Sequence, residues 1–343
     1  MSTPEASAAR PPVPCAELHL HIEGTLEPEL VLELARRHGT DLPYRDADEL
    51  RARYEFTDLQ SFLDLYYDNM AVLRTEADFA DMTRAYLSRA ARAGVRHAEI
   101  MFDPQAHLVR GVPLAAVVDG IAGVLRTSEE DWGVTTSLIA AFLRDRPVDE
   151  ALDVLEQLLS TGAPIVGIGL DSAEVGFPPG QFAPVFDRAR AAGLHLVAHA
   201  GEEGPPSYVT EALDVLGVER IDHGIRSLED DALVARLVAD QVPLTVCPLS
   251  NVRLRTVDTL ADHPLARMLA RGMLVSVSSD DPAYFGGYVD DNLRECRRAL
   301  GLTDEDVVRL ARGSVRSSFL DEARRERLLA EIDTWQRGAF AVG

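Results

Sequence analysis

The sequence predicts an α/β fold, a (β/α)8 TIM barrel with extra helices after the first strand. Three observations lead there. Short apolar runs of strand length alternate with stretches whose apolar residues recur at helical spacing, eight such runs can be marked, and His, Asp or Glu stand at the carboxyl ends of most of them. Alternation of this kind marks βα units, eight strands close a barrel, and the carboxyl ends of barrel strands share one rim.

The first run covers residues 16–23. The stretch to the next run, 28–94, is far longer than one crossover helix needs, so it is expected to hold several helices. One of them, at 56–73, carries a stripe of Phe, Leu and Tyr that would cover the barrel mouth. The remaining runs fall at 96–103, 135–143, 165–171, 194–199, 220–223, 243–247 and 273–278. Helical spacing between them appears at 183–192, 208–216, 230–240 and 263–271, several of these ending at a Gly suited to a helix C-cap. From Thr303 the tail reads as helix, with Glu305 and Asp306 as an acidic first turn. No repeat or linker interrupts the pattern. One metal-dependent hydrolase domain is therefore expected at 15–343, preceded by a flexible leader at 1–14 that lacks the basic start and apolar run of a signal peptide.

Composition narrows the function. The formal charge is −22, which argues against nucleic acid, because phosphate binding needs a basic surface. All 34 basic residues are Arg. A lysine Schiff base, a P-loop lysine and a carbamylated lysine bridging two metals are thus excluded. Three cysteines, Cys15, Cys247 and Cys296, show no C-x-x-C spacing, so a disulfide framework is not expected and the reading is cytoplasmic. No stretch approaches the roughly 20 apolar residues of a membrane span. A homo-oligomer stays open.

The chemistry lies at the strand ends. Side chains two apart on a strand share a side, so His19 and His21 in Glu17-Leu-His-Leu-His-Ile-Glu-Gly24 both face the barrel interior and can chelate one metal ion. A lone H-x-H pair is equally at home as two ordinary strand histidines. Here a third imidazole, His199, closes the fifth run, and Asp280 and Asp281 follow the eighth. Three neutral nitrogens and a carboxylate suit Zn2+ with a position left for water, which ionises near pH ~7 on the metal. Glu202, in His199-Ala-Gly-Glu202, follows a Gly that lets the chain fold back, and a desolvated carboxyl there has a raised pKa and can donate a proton; the plainer reading is a capping or solvated acid. His223 ends the sixth run, either as a fourth nitrogen ligand or as a group orienting the water, the latter preferred because the metal is already filled. Asp280 and Asp281 point in different directions, one to metal and one to substrate. Asp103 and Asp171 also fall on the rim. His38, His97, His107, His195 and His263 receive no role.

These residues resemble the adenosine and adenine deaminases of the amidohydrolase superfamily over nearly the whole chain, from Ala16 to about Leu320. The likeness rests on His19-Leu-His21, His199-Ala-Gly-Glu202, His223-Gly224 and Asp280-Asp281-Pro282, in the family's order and separations. It implies His19, His21, His199 and Asp280 as ligands of one Zn2+, Glu202 as proton donor to the purine ring and His223 as the group activating the water. It further implies Asp281 bonded to N7, with Gly169, Asp171 and Glu174 near the purine edge. The reaction implied is hydrolytic deamination at C6 of a small purine.

Longer segments are similar to the adenine deaminases: His21 to Glu29, Gly201 to Pro206, Cys247-Pro-Leu-Ser-Asn251 and Asp281 to Gly287. Glu23 stands where adenosine deaminases carry an Asp that holds the ribose, and its longer side chain would fill ribose space or bond N9–H of the free base. Four positions depart from that subgroup's pattern: Ala173, Phe177, Ser278 and Gly313. Ala173 and Phe177 would admit a bulkier or more apolar substituent, so adenosine or another N6- or N9-substituted adenine derivative is the alternative substrate. The rivals outside this class are a cyclic-amide hydrolase on the same fold and a silent binding relative.

Overall fold

The computed structural model describes residues 11–340. Eight strands follow one another around a single parallel sheet. They are β1 (Cys15–Glu17), β2 (Val95–Phe102), β3 (Thr135–Leu143), β4 (Ile165–Asp171), β5 (His195–Ala200), β6 (Arg220–His223), β7 (Leu244–Val246) and β8 (Val275–Val277). The ring closes beyond the ends of β1 and β8, where the Asp280 amide donates to the His19 carbonyl and the His21 amide to the Asp280 carbonyl, each at 3.1 Å. The expected (β/α)8 barrel is what forms.

The first run departs from a plain strand. Glu17 pairs with Ala98, and the next bridge joins His21 to Met101, so four steps along one chain match three along the other. The extra residue is a bulge, and bulges at barrel rims re-aim side chains. Glu23 then leaves the strand direction in a 3-10 turn, Glu23–Thr25.

Four helices fill the long first connection: α1 (Pro28–His38), α2 (Ala47–Arg51), α3 (Leu59–Met70) and α4 (Glu76–Arg92). The start of α3 is fixed by Asp58, whose carboxylate accepts the Ser61 amide at 2.8 Å while Ser61 closes the capping box. Its buried face of Phe62, Leu63 and Tyr66 is the aromatic stripe foreseen from sequence.

Two apolar layers hold the barrel. The larger lies between strands and helices; the smaller, inside the barrel, consists of Met101, Ile139, Ala141 and Val197, with Phe319 packed against it. Phe319 plugs the base: its ring stacks on His195 at 3.9 Å, and the Arg220 guanidinium lies 4.8 Å from its centroid. Arg220 is wholly buried and pairs with Glu99 at 2.5 Å. Burial alone would raise the Glu99 pKa, but the Arg220 charge holds it at about 2. The helix Asp304–Arg316 covers the seam between β8 and β1, where Ser314 Oγ accepts the Ala16 amide at 3.0 Å. Gly313 makes that approach feasible, since a Cβ there would lie 2.3 Å from the Val275 carbonyl oxygen.

Of the expected leader, residues 1–10 lie outside the described residues. Val13 is buried, and the Pro11 carbonyl accepts from Trp335 Nε1 at 2.9 Å, which ties 11–13 to the last helix. Among the described residues no helix is long and apolar enough to cross a membrane.

Candidate active site

At the carboxyl rim, the bulged end of β1 brings His19 and His21 opposite His199 at the end of β5 and Asp280 beyond β8. His199 Nε2 lies 3.0 Å from His19 Nε2 and 3.2 Å from His21 Nε2. Asp280 Oδ1 lies 3.4 Å from the first of these and 3.7 Å from the second. Ligands held about 2.0–2.1 Å from a tetrahedral cation are about 3.3 Å apart, so this spacing fits a metal ion of that size. Nitrogen lone pairs that close repel one another unless a cation or proton lies between them. The outer nitrogens are also directed. His199 Nδ1 donates to the Leu170 carbonyl at 3.1 Å, which leaves Nε2 bare. His21 Nδ1 lies 3.5 Å from Asp171 and 3.8 Å from Asp103. Burial and the neighbouring His19 and His21 push the His199 pKa well down, so it stays a neutral donor.

Glu202 is set by the turn after β5, where Gly201 adopts φ +72°. Its carboxyl is buried, with Oε2 3.4 Å from His223 Nε2 and Oε1 accepting from Asn251 Nδ2 at 3.3 Å. Burial, then the charge of Asp280, raises the Glu202 pKa well above the usual carboxylate range, which favours its protonated form. Burial and His19 lower the His223 pKa to about 3, so that ring is neutral. Both His223 (φ +65°) and Asp280 (φ +66°) sit in left-handed backbone, a conformation that costs about 1 kcal/mol or more and clusters at functional sites.

The cleft above is lined by Asp103, Asp171 and Asp281 together with Leu59, Phe62 and Tyr66 of α3. Asp103, Asp171 and Asp281 each keep one buried oxygen without a hydrogen-bond partner. Burial and neighbouring acids raise the pKa of Asp171 and of Asp281. Apolar and aromatic side chains together with unpartnered carboxyl oxygens suit an aromatic ligand with polar edges.

Not every expected residue reaches this cleft. Glu174 is the clearest difference: its carboxylate accepts the amides of Gly201 (2.6 Å), Glu202 (3.0 Å), Glu203 (2.8 Å) and Gly204 (2.8 Å), and it does not line the cleft. Gly169 lies lower, inside the barrel, where a Cβ would meet Val197 and Ala141. Glu23 is buried beside the site, its Oε1 accepting from His107 Nε2 at 2.7 Å and the Asp103 amide at 3.1 Å, with Oε2 unpartnered. Ala173 and Phe177 do not line the cleft either, so they do not widen it. Ser278 Oγ accepts the Leu18 amide at 3.4 Å and serves the barrel seam.

Sequence reasoning gave no role to Asn251, His263 or His107, yet all three are buried in the polar network behind the site. For Asn251 a signal existed, since Cys247-Pro-Leu-Ser-Asn251 stood out as a segment without a chemical task.

A barrel with three imidazoles and a carboxylate on its rim, next to a buried Glu, is the architecture of a metal-dependent hydrolase of the amidohydrolase class. Residues 14–335 match the adenosine deaminase family, and the chain belongs to that family. It is similar to an adenine deaminase of Streptomyces coelicolor, 62% identical over 95% of this chain and 96% of the relative. Among solved structures, an adenine deaminase from Arthrobacter aurescens superposes with a TM-score of 0.94 at 66% identity, covering 95% of this chain and 99% of that one. An amidohydrolase from Burkholderia ambifaria with bound Zn gives a TM-score of 0.87 at 28% identity, covering 96% and 93%. The protein is an enzyme, a hydrolytic deaminase.

Proposed function

We propose that this chain is a zinc-dependent adenine deaminase, converting adenine and water to hypoxanthine and ammonia, and acts in the cytoplasm. The observation that carries this reading is the buried Glu202 carboxyl beside the His19, His21, His199 and Asp280 cluster, its pKa raised by burial and by Asp280. The relatives at 62% and 66% identity are adenine deaminases, which supports the free base as substrate.

Those four residues would hold the metal. When bound, Zn2+ supplies a Lewis acid that ionises water near neutral pH. Everything else falls to the protein. Glu202 donates its proton to N1 of the ring, so that negative charge does not build there as C6 is attacked. His223 faces the attacking water from beside Glu202. Asp281 takes the N7 edge, and Asp171 an N–H of the imidazole ring. The side chains of α3 cover the base and exclude bulk water. Glu23, buried beside the site, holds the Asp103 amide and His107 and so supports the cleft wall rather than touching the base.

Glu202→Gln should retain one metal per chain by elemental analysis and lose about 10²-fold or more in kcat. Near-normal turnover in that variant would refute the proton-donor assignment.

A further inference from the structure

We propose that Asn251 and His263 are positioning residues that fix where the protons sit on both Glu202 and His223. The inference rests on the deaminase reading and deepens it by assigning individual hydrogens.

The chain of hydrogen bonds starts at a donor whose direction is beyond choice. The Leu265 backbone N–H donates to His263 Nδ1 at 3.2 Å. Nδ1 therefore carries no proton, and the neutral ring must hold its proton on Nε2. That nitrogen lies 3.1 Å from Asn251 Oδ1, so it donates there. The bond settles the orientation of the Asn251 amide, which is buried and has no solvent alternative. Its NH2 faces two acceptors, Glu202 Oε1 at 3.3 Å and His223 Nδ1 at 3.4 Å, one for each hydrogen.

Two consequences follow. Glu202 Oε1 accepts the Asn251 N–H as the carbonyl oxygen of the acid, so the transferable proton sits on Oε2, whose remaining lone pair faces His223 Nε2. His223 Nδ1 is likewise occupied, so the neutral ring carries its proton on Nε2, pointing into the site toward Glu202 Oε2 (3.4 Å) and Asp280 Oδ2 (3.8 Å). His223 then meets the attacking water as a hydrogen-bond donor that orients it, rather than as a base that deprotonates it. Neither Asn251 nor His263 lines the cleft, so both act through Glu202 and His223.

The test reads tautomers directly. In protein labelled with 15N-histidine, metal-free and zinc-loaded, NMR should find His223 protonated at Nε2 and His263 protonated at Nε2. In Asn251→Ala the His223 preference should be lost. Kinetically, His263→Phe should lower kcat about tenfold with KM changed less than about threefold, whereas His263→Gln, whose amide can still donate to Asn251, should recover most of it. An Nδ1–H tautomer at His223 in the unaltered protein overturns the proposal whatever the variants do. So does equal kcat in His263→Phe and the unaltered protein. Full activity in Glu202→Gln would instead strike the proton-donor assignment and leave the tautomer measurement to decide the relay.

Discussion

Glu174 Oε2 accepts the backbone amide of Glu202 at 3.0 Å, and the same carboxylate accepts the amides on either side of it. Four N–H groups on one anion make a rigid cradle, and they place Glu202 without Glu174 touching the cleft. Gly204 is part of the fit, because a Cβ there would come within 2.5 Å of Glu174 Oε1.

Replacing Glu174 by Gln puts an NH2 group against amides that need an acceptor. Charge-assisted hydrogen bonds contribute about 1.5–3 kcal/mol each, so the loop should loosen and kcat fall at least about tenfold. Glu174→Asp should lie between. Steady-state kinetics with a thermal melt decides it; unchanged kcat and Tm in the Gln variant would contradict the positioning role.

Gly24 is pressed against Asp281: a Cβ at Gly24 would stand 2.0 Å from Asp281 Oδ1 and 2.6 Å from its Cα. Gly24→Ala must therefore displace Asp281 or its own turn. Asp281 is proposed to contact the substrate, and misplacing such a group by an ångström costs about 10²-fold, so kcat/KM should fall by about that factor. A variant within threefold of the original would remove Asp281 from the substrate contacts.

The pH profile follows from Glu202. Burial and Asp280 raise its pKa, and the proposed reaction uses the protonated form, so activity should be present below that pKa and decline tenfold per unit above it. His223, with its pKa pushed down to about 3, stays neutral and sets no limb between pH 5 and 8. Measuring kcat/KM from pH 5 to 11 checks both statements. A rate that rises steadily to pH 11 would mean that Glu202 works as an anion.

At the opposite end of the barrel, the Glu99–Arg220 pair concerns stability. Its folded pKa, depressed to about 2, means the pair's contribution is present above the ordinary carboxyl range and is lost as pH falls through about 2. Glu99→Gln removes the nearer of two carboxylates from the buried Arg220 guanidinium and leaves Asp222, 3.6 Å from Arg220 Nε, so the cost should lie below the roughly 3–5 kcal/mol of a wholly unpaired buried charge. Urea titration at pH 7 should show a lowered midpoint, and an unchanged midpoint would contradict the assignment.

The barrel was legible because each strand is an apolar run with a polar end, and β3, β4 and β6 begin and end where the sequence places them. The first strand was less so: a bulge between Glu17 and His21 leaves the His-x-His spacing intact, so nothing in the pattern marks it. His19, His21, His199 and Asp280 were readable as a group because one rim gathers the strand ends. Glu174 was not, because the clamp on residues 201–204 depends on where two loops meet. Asn251 and His263 were hidden for the same reason: twelve positions apart, they touch through side chains that no periodicity connects.

The central claim, deamination of the free base, is tested most directly by ammonia release with adenine, adenosine and an N6-substituted adenine on zinc-loaded enzyme of known metal content. The account predicts the highest kcat/KM for adenine, with adenosine lower by at least about 10²-fold. A kcat/KM for adenosine or the N6-substituted base that equals or exceeds that for adenine would contradict it.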